Sequence, residues 1–247
     1  MPPKRILVPA LLVALVAVLV AEGFAAFRGE GAPEAPGSPD EVVGPEAGKP
    51  LLFVVLGDST GSGVGAVSQD FGYPRRCARA LAERTGRRVA LRDFAVSGAR
   101  VTDVLNDQLK RMAGLRPDLV LLVIGGNDST HLTSPIAVRA DLRRVLDALA
   151  TSGAPVIVSG LPAMGTATRI LQPLRFLVGV IATFIYDPIW REETARRGMF
   201  RVELADRTGP AFAHDHSLLA PDGFHPGPRG YEVWAKTIDE VIGLAIG

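Results

Sequence analysis

The sequence predicts an α/β fold in which a mostly parallel sheet carries helices on both faces. Two patterns in the 247 residues support this. Short, continuous apolar runs recur along the chain, as expected for strands buried on both faces. Between them lie helix-length stretches that are opened by proline or stopped by glycine or an Arg-Pro step.

Residues 51–56 form the first apolar run, ending at Gly57. Pro74 opens a helix that Gly86 closes, which suits proline's place in a first turn and glycine's place past a last one. Residues 88–96 carry the second strand, and 101–115 a helix halted at Arg116-Pro117. Residues 119–124 are a third strand, closed by Gly125-Gly126. The helix over 136–150 has Leu142, Val145, Leu146 and Leu149 on one face and ends at Gly153. A fourth strand covers 155–159 and a weaker fifth 200–204, and a helix over 230–246 closes the chain.

The first fifty residues have a different character. Lys4 and Arg5 precede an apolar run over 6–21 that only Pro9 interrupts. Residues 1–27 therefore read as a signal peptide or an N-terminal membrane anchor. The run is near the lower limit for spanning a bilayer, and 23–27 extend it past Glu22. Gly23-Phe24-Ala25 is a weak cleavage site, so an uncleaved anchor is favoured; cleavage would make the protein secreted. Either way the folded domain is expected outside the cytoplasm. In 28–50, Pro33, Pro36, Pro39, Pro45 and Pro50 alternate with Gly, Glu and Ala, which predicts an extended linker that adds nothing to the core. The folded domain is then 51–247.

Composition narrows the function classes. With 47% hydrophobic and 21% charged residues, wholesale disorder is excluded. A formal net charge of +1 gives no electrostatic reason to expect nucleic acid as a partner. The single cysteine, Cys77, rules out an internal disulfide and is placed to turn inward from a helix as a small apolar residue. Four histidines, with no HExxH and no paired CxxC, leave few ligands for a metal. His214-Asp215-His216 is metal-like in composition but makes a poor closed site; these two histidines and His131 read as loop residues.

In such a sheet, ligands bind at the carboxyl ends of the strands. Gly57-Asp58-Ser59-Thr60-Gly61-Ser62-Gly63 follows the first strand and Val96-Ser97-Gly98-Ala99 the second. Gly125-Gly126-Asn127-Asp128 follows the third, and Asp222-Gly223-Phe224-His225-Pro226 precedes the last helix. Together they offer a hydroxyl, a backbone N–H, a side-chain amide and an Asp–His pair, the parts that acyl transfer needs. Singly, each has a plainer reading as a cap or turn; their joint placement at one sheet edge sets those readings aside. Gly61-Ser62-Gly63-Val64-Gly65-Ala66 also fits the GxGxxA dinucleotide fingerprint, with Asp93 as a ribose holder, but 68–73 read as loop where a helix should open. Gly57 to Gly61 fits the GxSxG elbow, yet only a linker precedes it where that fold needs strands.

In order, these four segments resemble the four blocks of the SGNH (GDSL-type) hydrolases: GDS, the block-two glycine, GxND and DxxH. The resemblance spans residue 51 to the last helix. It implies a three-layer α/β/α sandwich with a five-stranded, flavodoxin-like sheet, and a serine esterase or lipase working without metal or cofactor. By the same resemblance Ser59 is the nucleophile, His225 the base and Asp222 its orienting partner. The oxyanion hole is implied to comprise the N–H groups of Ser59 and Gly98 and the amide of Asn127. An acyltransferase delivering to a sugar or glycolipid hydroxyl is the alternative. There is one departure: many members have Asn where Asp93 stands, which bears on local hydrogen bonding. Residues 161–190 are longer than a crossover requires and rich in bulky apolar side chains. They read as an acyl groove or lipid-docking flap, or as an ordinary helix packed on the sheet. Together with the anchor they point to a small-molecule or lipid ester as substrate.

Overall fold

The computed structural model describes residues 9, 14, 16–23, 31–46 and 48–247. Most of the expected signal or anchor segment, 1–27, lies outside the described residues; within it, 16–23 are helical. No helix among the described residues is long and apolar enough to cross a membrane.

Six strands form one sheet: β1 Glu41–Val43, β2 Leu51–Gly57, β3 Val89–Asp93, β4 Leu119–Val123, β5 Val156–Ser159 and β6 Phe200–Val202. Their order is β1-β3-β2-β4-β5-β6. Every neighbouring pair is parallel except β1 with β3. Leaving β1 aside, this is the flavodoxin-like strand order, with its switch point beside β2.

The continuous apolar runs are continuous because both faces of the sheet are covered. Along β2, Phe53 and Val55 enter one core and Val54 and Leu56 the other; β4 divides its residues in the same period of two. The first core is closed by α1 (Tyr73–Thr85), with residues of α5 (Leu204–His214) and α6 (Pro228–Ile246). The second is closed by helical residues 101–112, α2 (Pro135–Ala150) and α4 (Asp187–Ala195). These are the three expected layers. Pro74 sits in the first turn of α1 and Gly86 caps it in the left-handed region, as the sequence predicts. Cys77 is buried on the inner face of α1.

Three expectations change. First, the helix expected over 101–115 stops at Met112 and contains a π turn, Val104–Gln108. There the Gln108 amide accepts from Gly57 N at 2.9 Å and donates to Gly57 O at 2.7 Å, acting as a strand partner for the last residue of β2.

Second, the segment read as a free linker is a strap sealed onto the domain, and it supplies the sixth strand. Val42 lies opposite Ala90 in the β1–β3 pair. Ala35 is buried, its N–H donates to Gly63 O at 3.1 Å, and Gly65 N donates to Pro33 O at 3.1 Å. Glu41 pairs with Arg75 at 2.8 Å, and Asp40 accepts from Asp93 N at 3.0 Å. The strap is extended, as its prolines dictate, but backbone hydrogen bonds fix it where apolar side chains are few. Deleting residues 1–49 is therefore expected to cost several kcal/mol, lowering Tm by about 10 °C, and to reduce activity. Deleting only 1–30 keeps every contact of the strap. Thermal melts of the two variants check this, and equal Tm values would refute it.

Third, 161–190 is not one packed helix. Tyr186, Ile189 and Trp190 belong to the second core, whereas α3 (Leu174–Ile181) has no buried residue. A π turn, Ala182–Tyr186, joins α3 to α4.

Candidate active site

Ser59 stands in a tight turn at the carboxyl end of β2. Asp58 Oδ1 accepts from Thr60 N at 3.0 Å and from Thr60 Oγ1 at 2.9 Å, an aspartate turn that re-aims the chain. Ser59 O accepts from Val64 N at 2.9 Å and from Ser62 Oγ at 3.2 Å, so the turn is closed on both sides of the serine. Gly65, with φ +87°, then brings the loop against the opposite segment; a Cβ there would lie 2.6 Å from Pro226 O. Tyr231, on α6, donates to Val64 O at 2.6 Å.

That opposite segment carries His225 and Asp222. Its loop is closed by Ala220 N donating to His225 O at 2.7 Å and by a bridge between Leu219 and Pro226. Asp222 Oδ1 accepts from Phe224 N and His225 N, both at 3.0 Å. Asp222 Oδ2 lies 2.6 Å from His225 Nδ1 and accepts from Ala32 N at 2.9 Å. Burial pushes the Asp222 carboxyl up, but the hydrogen bonds from His225 and the three backbone N–H groups outweigh it and hold the group well below the usual carboxylate range. Ionised Asp222 accepts, so His225 Nδ1 carries the proton. The lone pair of Nε2 then faces Ser59 Oγ at 2.9 Å, and Oγ–H donates to it. The Phe224 ring meets the imidazole edge-on, with centroids 5.1 Å apart.

The other two segments converge from β3 and β4. Gly98 lies in a turn after β3, and Asn127 in the one-turn helix Gly126–Thr130 after β4. They are tied together: Asn127 Nδ2 donates to Ala99 O at 2.9 Å, and Asp128 Oδ2 accepts from Val101 N at 3.1 Å. Burial pushes Asp128 up to about 6. Ser59, Gly98, Asn127 and His225 line one cleft, so the structure brings every residue expected at the site to one sheet edge.

Two openings meet there. A small one, about 50 Å³, is lined in part by Ala163, Met164 and Ala167; a larger one, about 540 Å³, is mostly apolar. Ser59, Asn127, Phe224 and His225 line both. His131, read as a plain loop residue, lines the larger cleft, with Nδ1 2.8 Å from Asn127 O. His216 Nδ1 lies 3.1 Å from Phe212 O, and Asp215 caps the following turn through Ser217 N at 2.9 Å. The GxGxxA stretch forms turns, and the α-helix that follows it begins only at Tyr73.

Sequence reasoning missed Ala32 and Gln108. A backbone N–H has no residue identity to read, and the π turn that aims Gln108 leaves no compositional trace.

Asp93 accepts from Ala95 N at 2.9 Å through Oδ1, while its other oxygen is buried with no hydrogen-bond partner among the described residues. Burial pushes the carboxyl up to about 8. The folded chain thus holds a proton that the unfolded chain releases above its own, lower pKa. Stability from this group is complete below about pH 4 and is lost as pH rises through about 8. Asp93→Asn, which resembles the protonated acid, is expected to match the parent near pH 4. By pH 8 it should be more stable by on the order of a few kcal/mol. Melts across that range test this, and parallel Tm curves would refute it.

Comparison with known proteins agrees with the fold. The profile of the GDSL-like Lipase/Acylhydrolase family matches residues 55–233. The chain is 33% identical over 194 residues to a GDSL-like esterase of Mycobacterium tuberculosis, covering 75% of this chain and 60% of that protein's length. Among solved structures, LAE5, an α/β hydrolase enzyme from the metagenome of Lake Arreo, superposes with TM-score 0.63 at 23% identity, covering 80% of this chain and 97% of LAE5. The psychrotrophic esterase EstA from Pseudoalteromonas sp. superposes with TM-score 0.61 at 14% identity, covering 78% and 97%. Fold and relatives define the class, an α/β domain of the lipase and acylhydrolase type, which spans 60% of the length of the curated relative that it matches. The chain belongs to the GDSL-like lipase and acylhydrolase family, the SGNH hydrolases of the motif resemblance.

Proposed function

We propose that the protein is a serine esterase acting on lipid or cell-envelope esters by two-step acyl transfer. The observation that carries this is the Ser59–His225–Asp222 hydrogen-bond chain opening on a mostly apolar cleft. His225 Nε2 takes the proton of Ser59 as Oγ bonds to the ester carbonyl carbon, and the carbonyl electron pair moves onto oxygen. Asp222 stabilises the imidazolium. The N–H groups of Ser59 and Gly98 and the Asn127 amide receive the oxyanion. Collapse of the tetrahedral species breaks the bond to the alcohol, which leaves with the proton from His225. Water repeats the sequence and frees the acid and Ser59. The basic residues Lys4 and Arg5 ahead of the apolar run 6–21 support export, with the domain held outside the cytoplasm.

A membrane-impermeant fluorophosphonate applied to intact cells tests both parts. Labelled Ser59 in the membrane fraction is expected. Labelling in lysates alone would refute the location, and no labelling anywhere would refute the nucleophile.

A further inference from the structure

The family match covers residues 55–233, yet the larger cleft has a wall outside it. Leu19 and Gly23, on the helical residues 16–23, line the cleft together with Ile170 and with Leu174, Leu177 and Ile181. These two walls are fastened to each other. Pro173, at the start of α3, offers no side-chain cap, and Leu174 N donates instead to Glu22 Oε2 at 3.1 Å. A carboxylate at that end also suits the helix dipole. Glu22, the acidic residue that interrupts the N-terminal apolar run, thus has a specific partner.

Almost wholly apolar yet without a buried residue, α3 leaves surface that an apolar ligand would remove from water. At about 540 Å³ the cleft is in the range of sites that hold whole small molecules, and it is continuous with Ser59 and Asn127. The opening on the other side, about 50 Å³, has room for little more than a small group.

We infer that the acyl chain of the ester lies between helix 16–23 and α3. The N-terminal segment is then a wall of the acyl site and sets a preference for medium or long chains. This rests on the esterase reading of Ser59.

The test is kcat/KM of the full chain on p-nitrophenyl acetate, octanoate and dodecanoate. The longer esters are expected to be preferred by about tenfold or more. Leu19→Trp and Leu177→Trp each narrow the cleft from one wall, and each should lower the dodecanoate-to-acetate ratio by about tenfold or more. Taking the ratio on one preparation cancels any unfolded fraction, and Leu19→Phe serves if the larger ring unfolds the chain. A shift with Leu177→Trp alone would overturn the inference, because the N-terminal helix would then be no wall. So would an unmoved ratio in both variants, or a full chain that prefers acetate; in each case the esterase reading survives. Loss of all ester turnover and of Ser59 labelling in the unmodified chain would instead remove that reading, and the inference with it.

Discussion

Ser59→Ala is expected to lower ester hydrolysis by about six orders of magnitude, to background, and to abolish fluorophosphonate labelling. The substitution removes the oxygen that lies 2.9 Å from His225 Nε2 and leaves the Asp222–His225 pair without its proton to accept. Little else depends on that oxygen. The turn is closed through the backbone carbonyl of Ser59 and through Asp58, both of which alanine at position 59 leaves in place. The melting temperature should therefore stay within about 2 °C, the effect of a few tenths of a kcal/mol in a domain of this size. An alanine variant that still labels, or that keeps more than about a thousandth of kcat, would remove Ser59 from the chemistry.

Asn127→Ala is expected to lower kcat by about a hundred- to a thousand-fold, equivalent to ~3–4 kcal/mol, while KM hardly moves. The asymmetry follows from timing: charge gathers on the carbonyl oxygen only in the transition state, so the ground-state complex loses little. The structure adds a second, smaller effect. Asn127 Nδ2 also holds Ala99 O at 2.9 Å, joining the turn of Gly98 to the helix after β4. Losing that bond costs about 1 kcal/mol of stability. Kinetics and melts on the same variant separate the two, and a destabilised variant with full kcat would make Asn127 a structural tie alone.

The parts of the molecule that were legible in the sequence are those where burial forces a pattern. β4 is buried at every position, so Leu119–Val123 can only be apolar, and a run of that kind announces itself. The site segments were legible because each sits at a strand end or a helix entry, where turn chemistry demands Gly, Asp, Asn and Ser in close succession. β1 left no such trace. Its three residues are half exposed or exposed, and the strap around them is fixed by backbone groups and by ions such as Asp40 and Glu41. Residues 161–190 were ambiguous for a different reason. Trp190 facing a core and Leu177 facing a cleft contribute the same apolar letter, and only their placement separates them.

Asp222 and His225 lie three positions apart, whereas Ser59 is 166 positions from His225. In chain-entropy terms, only one distant encounter has to be closed to assemble the three side chains, since the acid and base arrive as one local unit. Closure cost grows with the logarithm of the intervening length, so even doubling that length adds only about 0.6 kcal/mol. The lining of the larger cleft between Ile170 and Ile181 falls within that interval. Insertions there could reshape which esters are accepted while leaving the acid–base unit intact, which makes substrate range a trait this architecture can vary at small thermodynamic expense.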